Sequence, residues 1–353
     1  MRFTTKSYAA HSPTGRLELF RFERRSPRDN DVVIDILYCG ICHSDLHTAR
    51  NDWGNAKYPI VPGHEIIGRV LEVGPLVTRF KVGDSVGVGC MVDSCQLCSS
   101  CGKGWEQYCE NGATYTYNGA DRLDGSRTQG GYSEQIVVKQ DFVLKVPEGL
   151  DLAGAAPLLC AGITTYSPLR HWKVGPGSQV AVVGLGGLGH MGLKLAKAMG
   201  AEVTLFSRSP DKQADAHRLG ADRMVLSTDP AQMASVTGRF DLIIDTVPYV
   251  HDVNPYVPTL AAGGTLVMVG YLGPLEALST SPLVLKRRAV AGSLIGGIAE
   301  TQEMLDFCGQ HGITSDVEMI RIDDVNEAYE RLLKADVKYR FVIDMASLKN
   351  QTV

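Results

Sequence analysis

Up to about residue 150 the apolar residues come in short runs closed by glycine or polar turns, at 31–40, 66–74, 84–90 and 133–138. Such runs predict β-strands. The character changes over Leu150–Pro157. Beyond it, continuous apolar runs at 178–184, 202–207, 224–227, 241–247 and 264–270 alternate with helical stretches at 193–200 and after Pro210. That alternation predicts a parallel sheet with helices on both faces. Ser209 and Pro210 read as N-cap and first turn of a helix that Gly220 stops. After about residue 293, helical patterns at 301–310 and 325–333 precede a last strand at 339–345. This tail is expected to return to the first domain, making the parallel-sheet domain an insertion. Repeats and low-complexity segments are absent from the sequence.

At 353 residues, 44% apolar and 21% charged, the chain has material for two domains. A net charge of −4 and no basic run beyond Lys286–Arg288, read as a solvated turn, argue against nucleic acid. No signal-like apolar core opens the chain and no apolar run reaches membrane-spanning length. Nine cysteines, most of them clustered, point to a reducing compartment, and cytoplasm is the expectation.

The clustered cysteines carry the first chemistry. Cys95, Cys98, Cys101 and Cys109 stand in a C-x2-C-x2-C-x7-C spacing on a polar, turn-rich segment, so their sulfurs can converge on one tetrahedral structural zinc. An iron–sulfur site would have a shorter last gap and usually a proline after the fourth cysteine, where Glu110 stands. Disulfides are the remaining reading, disfavoured without a secretory signal.

The second is Gly184-Leu185-Gly186-Gly187-Leu188-Gly189, a G-x-G-x-x-G loop that leaves the strand at 178–184 and opens a helix. In that context it predicts a dinucleotide site, with backbone approaching a pyrophosphate at a helix N-terminus. An NAD site places a carboxylate about 20 residues on. Here the next strand ends Phe206-Ser207-Arg208-Ser209, with Lys212 beyond. Arginine pairs with a 2′-phosphate, so the cofactor is expected to be NADP(H); the alternative leaves Arg208 facing water.

The third is dispersed: Cys42-His43-Ser44-Asp45, then Gly63-His64-Glu65, then Cys160. Two thiolates and an imidazole leave a fourth position open, as a catalytic zinc requires. Spacing alone does not separate this from ordinary buried Cys and His residues.

The run Gly63-His64-Glu65-x2-Gly68-x5-Gly74-x2-Val77 resembles the signature of the zinc-containing medium-chain alcohol dehydrogenases. The cysteine lobe, the glycine loop and the segment from Leu158 through Cys160 to Thr165 follow in that family's order. Tyr38–His47 and the serine/arginine strand end are most similar to the cinnamyl alcohol dehydrogenase type, which includes NADPH-dependent aldehyde reductases. The resemblance implies a GroES-like, mainly β catalytic domain at 1–152 and 294–353, with its zinc lobe at 90–110, and a Rossmann domain at 153–293. It implies Cys42, His64 and Cys160 as ligands of the catalytic zinc and the four-cysteine lobe as holder of a structural one. Glu65 would be an exchange ligand, and Asp45 would hold His64. Ser44 would pass the alcohol proton through the cofactor ribose to His47. Thr164 would lie beside the nicotinamide, and Ser293 joins the cofactor-contacting set. Cys39, three residues before Cys42, is read as core, and Cys90 and Cys308 as buried thiols. His43 would touch the pyrophosphate or face solvent.

The expected function is hydride transfer between NADP(H) and a primary alcohol or aldehyde, aromatic or medium-chain. Trp53, Tyr115 and Tyr117 would wall an apolar pocket or simply pack. A polyol dehydrogenase and a non-catalytic cofactor-binding sensor are the competing readings. A homodimer is expected through an edge strand near Thr280–Ala289.

Overall fold

The computed structural model describes residues 3–351. They form two compact units, 3–160 with 296–351, and Ala161–Ile295.

The first unit is built on a seven-stranded sheet in the order Val317–Arg321, Arg340–Asp344, Asp31–Gly40, Ile66–Val73, Ser85–Val88 and Leu144–Lys145, with Gln135–Lys139 also paired to Asp31–Gly40. Asp31–Gly40 is the hub. Its Val32 faces Val73 on one side and Val138 on the other, and register shifts at Val33/Ile34 and Ile36/Tyr38 bend it as bulges do. The C-terminal tail does return here: Arg340–Asp344 pairs antiparallel with Tyr38–Gly40. Its helix Val325–Leu333 buries Val325, Ala328, Tyr329 and Leu332, an i, i+3, i+4, i+7 stripe that forms the helix's one inward face.

The second unit carries a six-stranded parallel sheet ordered Arg223–Leu226, Glu202–Ser207, Gln179–Val183, Phe240–Asp245, Leu260–Met268 and Ala289–Gly292. The first strand in sequence sits centrally, so strand order reverses beside it, and in such sheets that reversal is where ligands bind. Phe206 meets Phe240 edge-on at 5.4 Å in the core on one face.

Two local expectations are corrected. The edge strand lies at Ala289–Gly292, whereas Ser281–Val284 is a helical turn. Pro282 has no N–H for a ladder and suits a first helical turn, and Val284 and Leu285 stay exposed. Ser209 does precede the Pro210–Lys212 turn in extended geometry but makes no side-chain cap; its N–H donates instead to Ser207 Oγ at 3.1 Å. Among the described residues no single helix is long and apolar enough to cross a membrane.

Candidate metal and dinucleotide sites

The cysteine lobe follows the short strand Met91–Asp93. Backbone N–H groups of Cys98, Cys95 and Glu110 each point at a cysteine sulfur 3.4 Å away (Cys95, Cys109 and Cys98 in turn). Donors of this kind favour thiolate. Asn111's side chain, with the N–H groups of Leu97 and Cys98, draws Cys95 down to about 5, while burial pushes Cys101 up to about 12. All four cysteines are free thiols with sulfurs within 4.8 Å of one another. Zinc–sulfur bonds of about 2.3 Å place sulfurs about 3.8 Å apart around a tetrahedral ion, and Cys95 and Cys101 stand 3.9 Å apart. The donor set fits a structural zinc.

A second set, Cys42, His64, Glu65 and Cys160, also brings its donor atoms within 4.8 Å, and all four residues are buried. Cys42 is the extended N-cap of the helix His43–Ala49. Its N–H donates to Asp45 Oδ2 at 2.9 Å. Gly63 N–H donates to Asp45 Oδ1 at 2.9 Å, and His64 Nδ1 lies 3.0 Å from the same oxygen. Tyr132 donates to Oδ2 at 3.4 Å. A fully buried carboxylate fed by donors keeps the proton on Nδ1 and leaves Nε2 as the ring's ligating atom. Gly63 has φ +103°, and a Cβ there would sit 2.8 Å from Cys39 Sγ. This explains the glycine before His64 and places Cys39 in the packing behind the site.

Cys42 and Cys160 sulfurs are 3.9 Å apart. A hydrogen bond between them holds Cys42 well below the usual thiol range and pushes Cys160 well above it. Two sulfurs at that separation match the spacing of two thiolate ligands around one tetrahedral zinc. Glu65, fully buried, pairs through Oε1 with Arg340, and its Oε2 has no partner among the described residues. Burial pushes Glu65 up to about 7 against the opposing charge of Arg340. A buried carboxylate that brings an oxygen within 4.8 Å of two sulfurs and an imidazole nitrogen, and has one oxygen unpaired among the described residues, fits a zinc site with an exchangeable ligand.

Around this pocket, His47 Nδ1 is 2.8 Å from Asp52 Oδ2, and its ring lies 5.6 Å from Trp53 and 6.2 Å from His43. Ser44 is half-buried on the same helix as His47. Tyr117 is buried with its ring 5.8 Å from His64. Trp53 is 42% and Tyr115 45% exposed; Tyr115 pairs with Met91 in the small lobe sheet. Cys90, expected as a buried thiol, is only half-buried and points to Leu159 O at 3.9 Å; Cys308 is fully buried. Arg340, Asp52 and Tyr132 were not singled out by sequence reasoning. Asp52 and Tyr132 carry no local signature, and Arg340 is identified only by the pairing of its strand with Tyr38–Gly40.

In the second unit, the Gln179–Val183 strand runs into Gly184, φ +88°, and a Cβ on Gly189 would lie 2.0 Å from Gly184 O, so strand and helix pack at contact. A Cβ on Gly186 would meet nothing within 4 Å, leaving that backbone open to approach. The helix Gly189–Ala198 starts without a side-chain cap, which suits an anion at its N-terminus. Ser207 is buried, its hydroxyl donating to Ser209 O at 3.1 Å, and Arg208 is exposed. Lys212 Nζ donates to Leu185 O at 3.0 Å, tying the second strand's exit to the glycine loop. Thr164 is buried in the helix Ala161–His171, and half-buried Ser293 donates its N–H to Met268 O at 3.2 Å.

Residues 28–148 match the alcohol dehydrogenase GroES-like domain and residues 187–310 the zinc-binding dehydrogenase family. NADP-dependent alcohol dehydrogenase C of Mycobacterium tuberculosis is 53% identical, covering 98% of this chain and 99% of its own. Aldehyde reductase YahK of Escherichia coli is also 53% identical, over 97% of this chain and 99% of its own. Among solved structures, a cinnamyl alcohol dehydrogenase of Sorghum bicolor superposes with TM-score 0.95 at 49% identity, covering 99% of this chain and 100% of its own. A cinnamyl alcohol dehydrogenase of Helicobacter pylori, complexed with NADP(H), gives 0.91 at 44% identity, with 98% and 99% covered.

Proposed function

The chain belongs to the zinc-containing medium-chain alcohol dehydrogenases of the cinnamyl alcohol dehydrogenase type, and from that premise we propose the part each residue plays. It is an alcohol dehydrogenase and aldehyde reductase that uses zinc and NADP(H). Its substrates are small alcohols and aldehydes.

Cys42, His64 and Cys160 hold the catalytic zinc; Cys95, Cys98, Cys101 and Cys109 hold the structural one. When bound, the catalytic metal supplies Lewis-acid polarisation of the substrate oxygen and the nicotinamide supplies or accepts the hydride. Asp45 fixes the His64 ring so that Nε2 faces the thiols. Arg340, kept charged by Glu65 and by the two sulfurs against the cost of burial, offsets thiolate charge from behind. Glu65, with its second oxygen unpaired, is the exchange ligand. Ser44 Oγ takes or returns the alcohol proton. His47 passes it to solvent at Nε2, because Asp52 occupies Nδ1.

Gly184, Gly186, Gly187, Leu188 and Gly189 cradle the pyrophosphate, and Ser207, Arg208, Ser209 and Lys212 the 2′-phosphate. Thr164 and Ser293 flank the nicotinamide. The Tyr117 ring beside His64 and Trp53 beside His47 favour an aromatic or medium-chain aldehyde. The edge strand Ala289–Gly292, next to the exposed Val284 and Leu285, is the surface for a twofold dimer. Cytoplasm is the compartment that nine free cysteines suit.

The observation that carries the reading is the buried Cys42–His64–Glu65–Cys160 set with free sulfurs. The test is consumption of NADPH and NADH with aromatic, straight-chain and sugar aldehydes, on protein assayed for zinc. Turnover preferring NADPH and aromatic aldehydes supports it. Preference for sugar aldehydes, or no turnover at all with zinc and cofactor bound, would replace it with the polyol or the sensor reading.

A further inference from the structure

The Glu202–Ser207 and Phe240–Asp245 strands flank Gln179–Val183, the strand that feeds the glycine loop. Side chains beyond their C-terminal ends meet across it. Arg208 Nη2 donates to the Tyr249 hydroxyl at 2.7 Å, and the guanidinium lies over the Tyr249 ring, 5.7 Å from its centroid. We infer that Tyr249 is a positioning residue that aims Arg208 at the 2′-phosphate and so sets the preference for NADP(H) over NAD(H). This rests on reading Ser207–Lys212 as the phosphate site.

The physical case has three parts. Arginine at an exposed strand end has many rotamers, and a hydrogen bond plus a ring face restrict both its reach and its tilt. The phenol engages one of five guanidinium N–H groups and leaves the rest of the fork for phosphate oxygens. Being neutral, it does so without cancelling the charge, so an incoming phosphate has no carboxylate to displace.

Tyr249 is itself anchored. Its carbonyl lies 2.9 Å from His251 Nδ1, and His251 Nε2 lies 2.7 Å from Asp245 Oδ2. Asp245 is fully buried at the end of its strand and also accepts from Val247 N–H at 3.1 Å. An unbroken chain of contacts thus runs from the sheet core through His251 and Tyr249 to Arg208.

The experiment is equilibrium binding of NADPH, NADH, 2′-AMP and 5′-AMP to the wild type, Arg208→Ala, Tyr249→Phe, Tyr249→Ala and the double alanine variant. NADH affinity reports that each variant retains its fold. Arg208→Ala is expected to weaken NADPH and 2′-AMP about tenfold or more and to leave NADH and 5′-AMP unchanged. Tyr249→Ala should weaken the same two ligands by about three- to tenfold, Tyr249→Phe by less, and the double variant no more than Arg208→Ala alone. Equal losses of NADPH and NADH in Tyr249→Ala would mean that the ring stacks on adenine and would overturn the inference, as would wild-type selectivity in both Tyr249 variants. Unchanged selectivity in Arg208→Ala would instead remove the phosphate-site reading, and the inference with it.

Discussion

Glu65 and Arg340 form a buried ion pair beside the Cys42 and Cys160 sulfurs, one carboxylate oxygen bonded and the other without a partner among the described residues. The residues come from opposite ends of the chain and meet because Arg340–Asp344 pairs with Tyr38–Gly40. Removing one charge strands the other. Arg340→Met is expected to cost about 3–5 kcal/mol in unfolding of the zinc-loaded protein, and adding Glu65→Gln should recover most of it. A double variant as unstable as the single one would show that packing, not charge, sets the cost.

Zinc content separates the two metal sites. Wild type should carry two ions per chain, one for each donor set. Cys42→Ser or His64→Ala should carry one and lose turnover while NADPH affinity persists. Loss of both ions, or of cofactor binding, would assign these side chains to the fold instead.

Asp45 acts on the metal only through His64. Asp45→Asn keeps the shape but exchanges a carboxylate acceptor for an amide, and should weaken zinc binding at the catalytic site about 10–100-fold in chelator competition. The four-cysteine site should not respond.

Ser44→Ala is expected to lower kcat by about 10²-fold, the range of a lost proton-transfer group, with KM for NADPH unchanged. His47→Ala should slow turnover less if a small imidazole or buffer base restores it. An unaltered kcat in Ser44→Ala would take that hydroxyl out of proton transfer.

His251 offers a pH test. Both ring nitrogens face oxygens that accept, and the hydrogen bond to Asp245, aided by Asp252 nearby, raises its pKa above the ordinary value of about 6.5. A histidine whose folded pKa is raised stabilises fully below its unfolded pKa, and that contribution fades as pH rises through the folded value. The Tm difference between wild type and His251→Gln should be largest near pH 6 and shrink towards pH 9. A difference constant across that range would mean that His251 acts by shape alone.

What was legible in the amino-acid order was whatever neighbouring residues decide among themselves. Cys95 to Cys109 lie on one tight loop, so spacing alone foretold convergent sulfurs. The glycines from Gly184 to Gly189 follow a strand and open a helix, so their backbone demands could be read directly. The edge strand begins only at Ala289, later than the expected Thr280–Ala289, because Pro282 starts a helical turn there that leaves Val284 and Leu285 in solvent. Cys42, His64 and Cys160 are the residue types of an open zinc site, but their spacing does not separate them from ordinary buried residues, and only the family resemblance tips the choice. In the molecule, Asp45 binds the N–H of Gly63 and the ring of His64, while the extended N-cap at Cys42 turns its thiol toward Cys160. Arg340 behind Glu65 and Tyr249 beneath Arg208 were beyond any local pattern. Their places follow from strand pairing and strand order, which depend on how separated segments bury their apolar faces together, and a contact of that kind leaves no spacing to read.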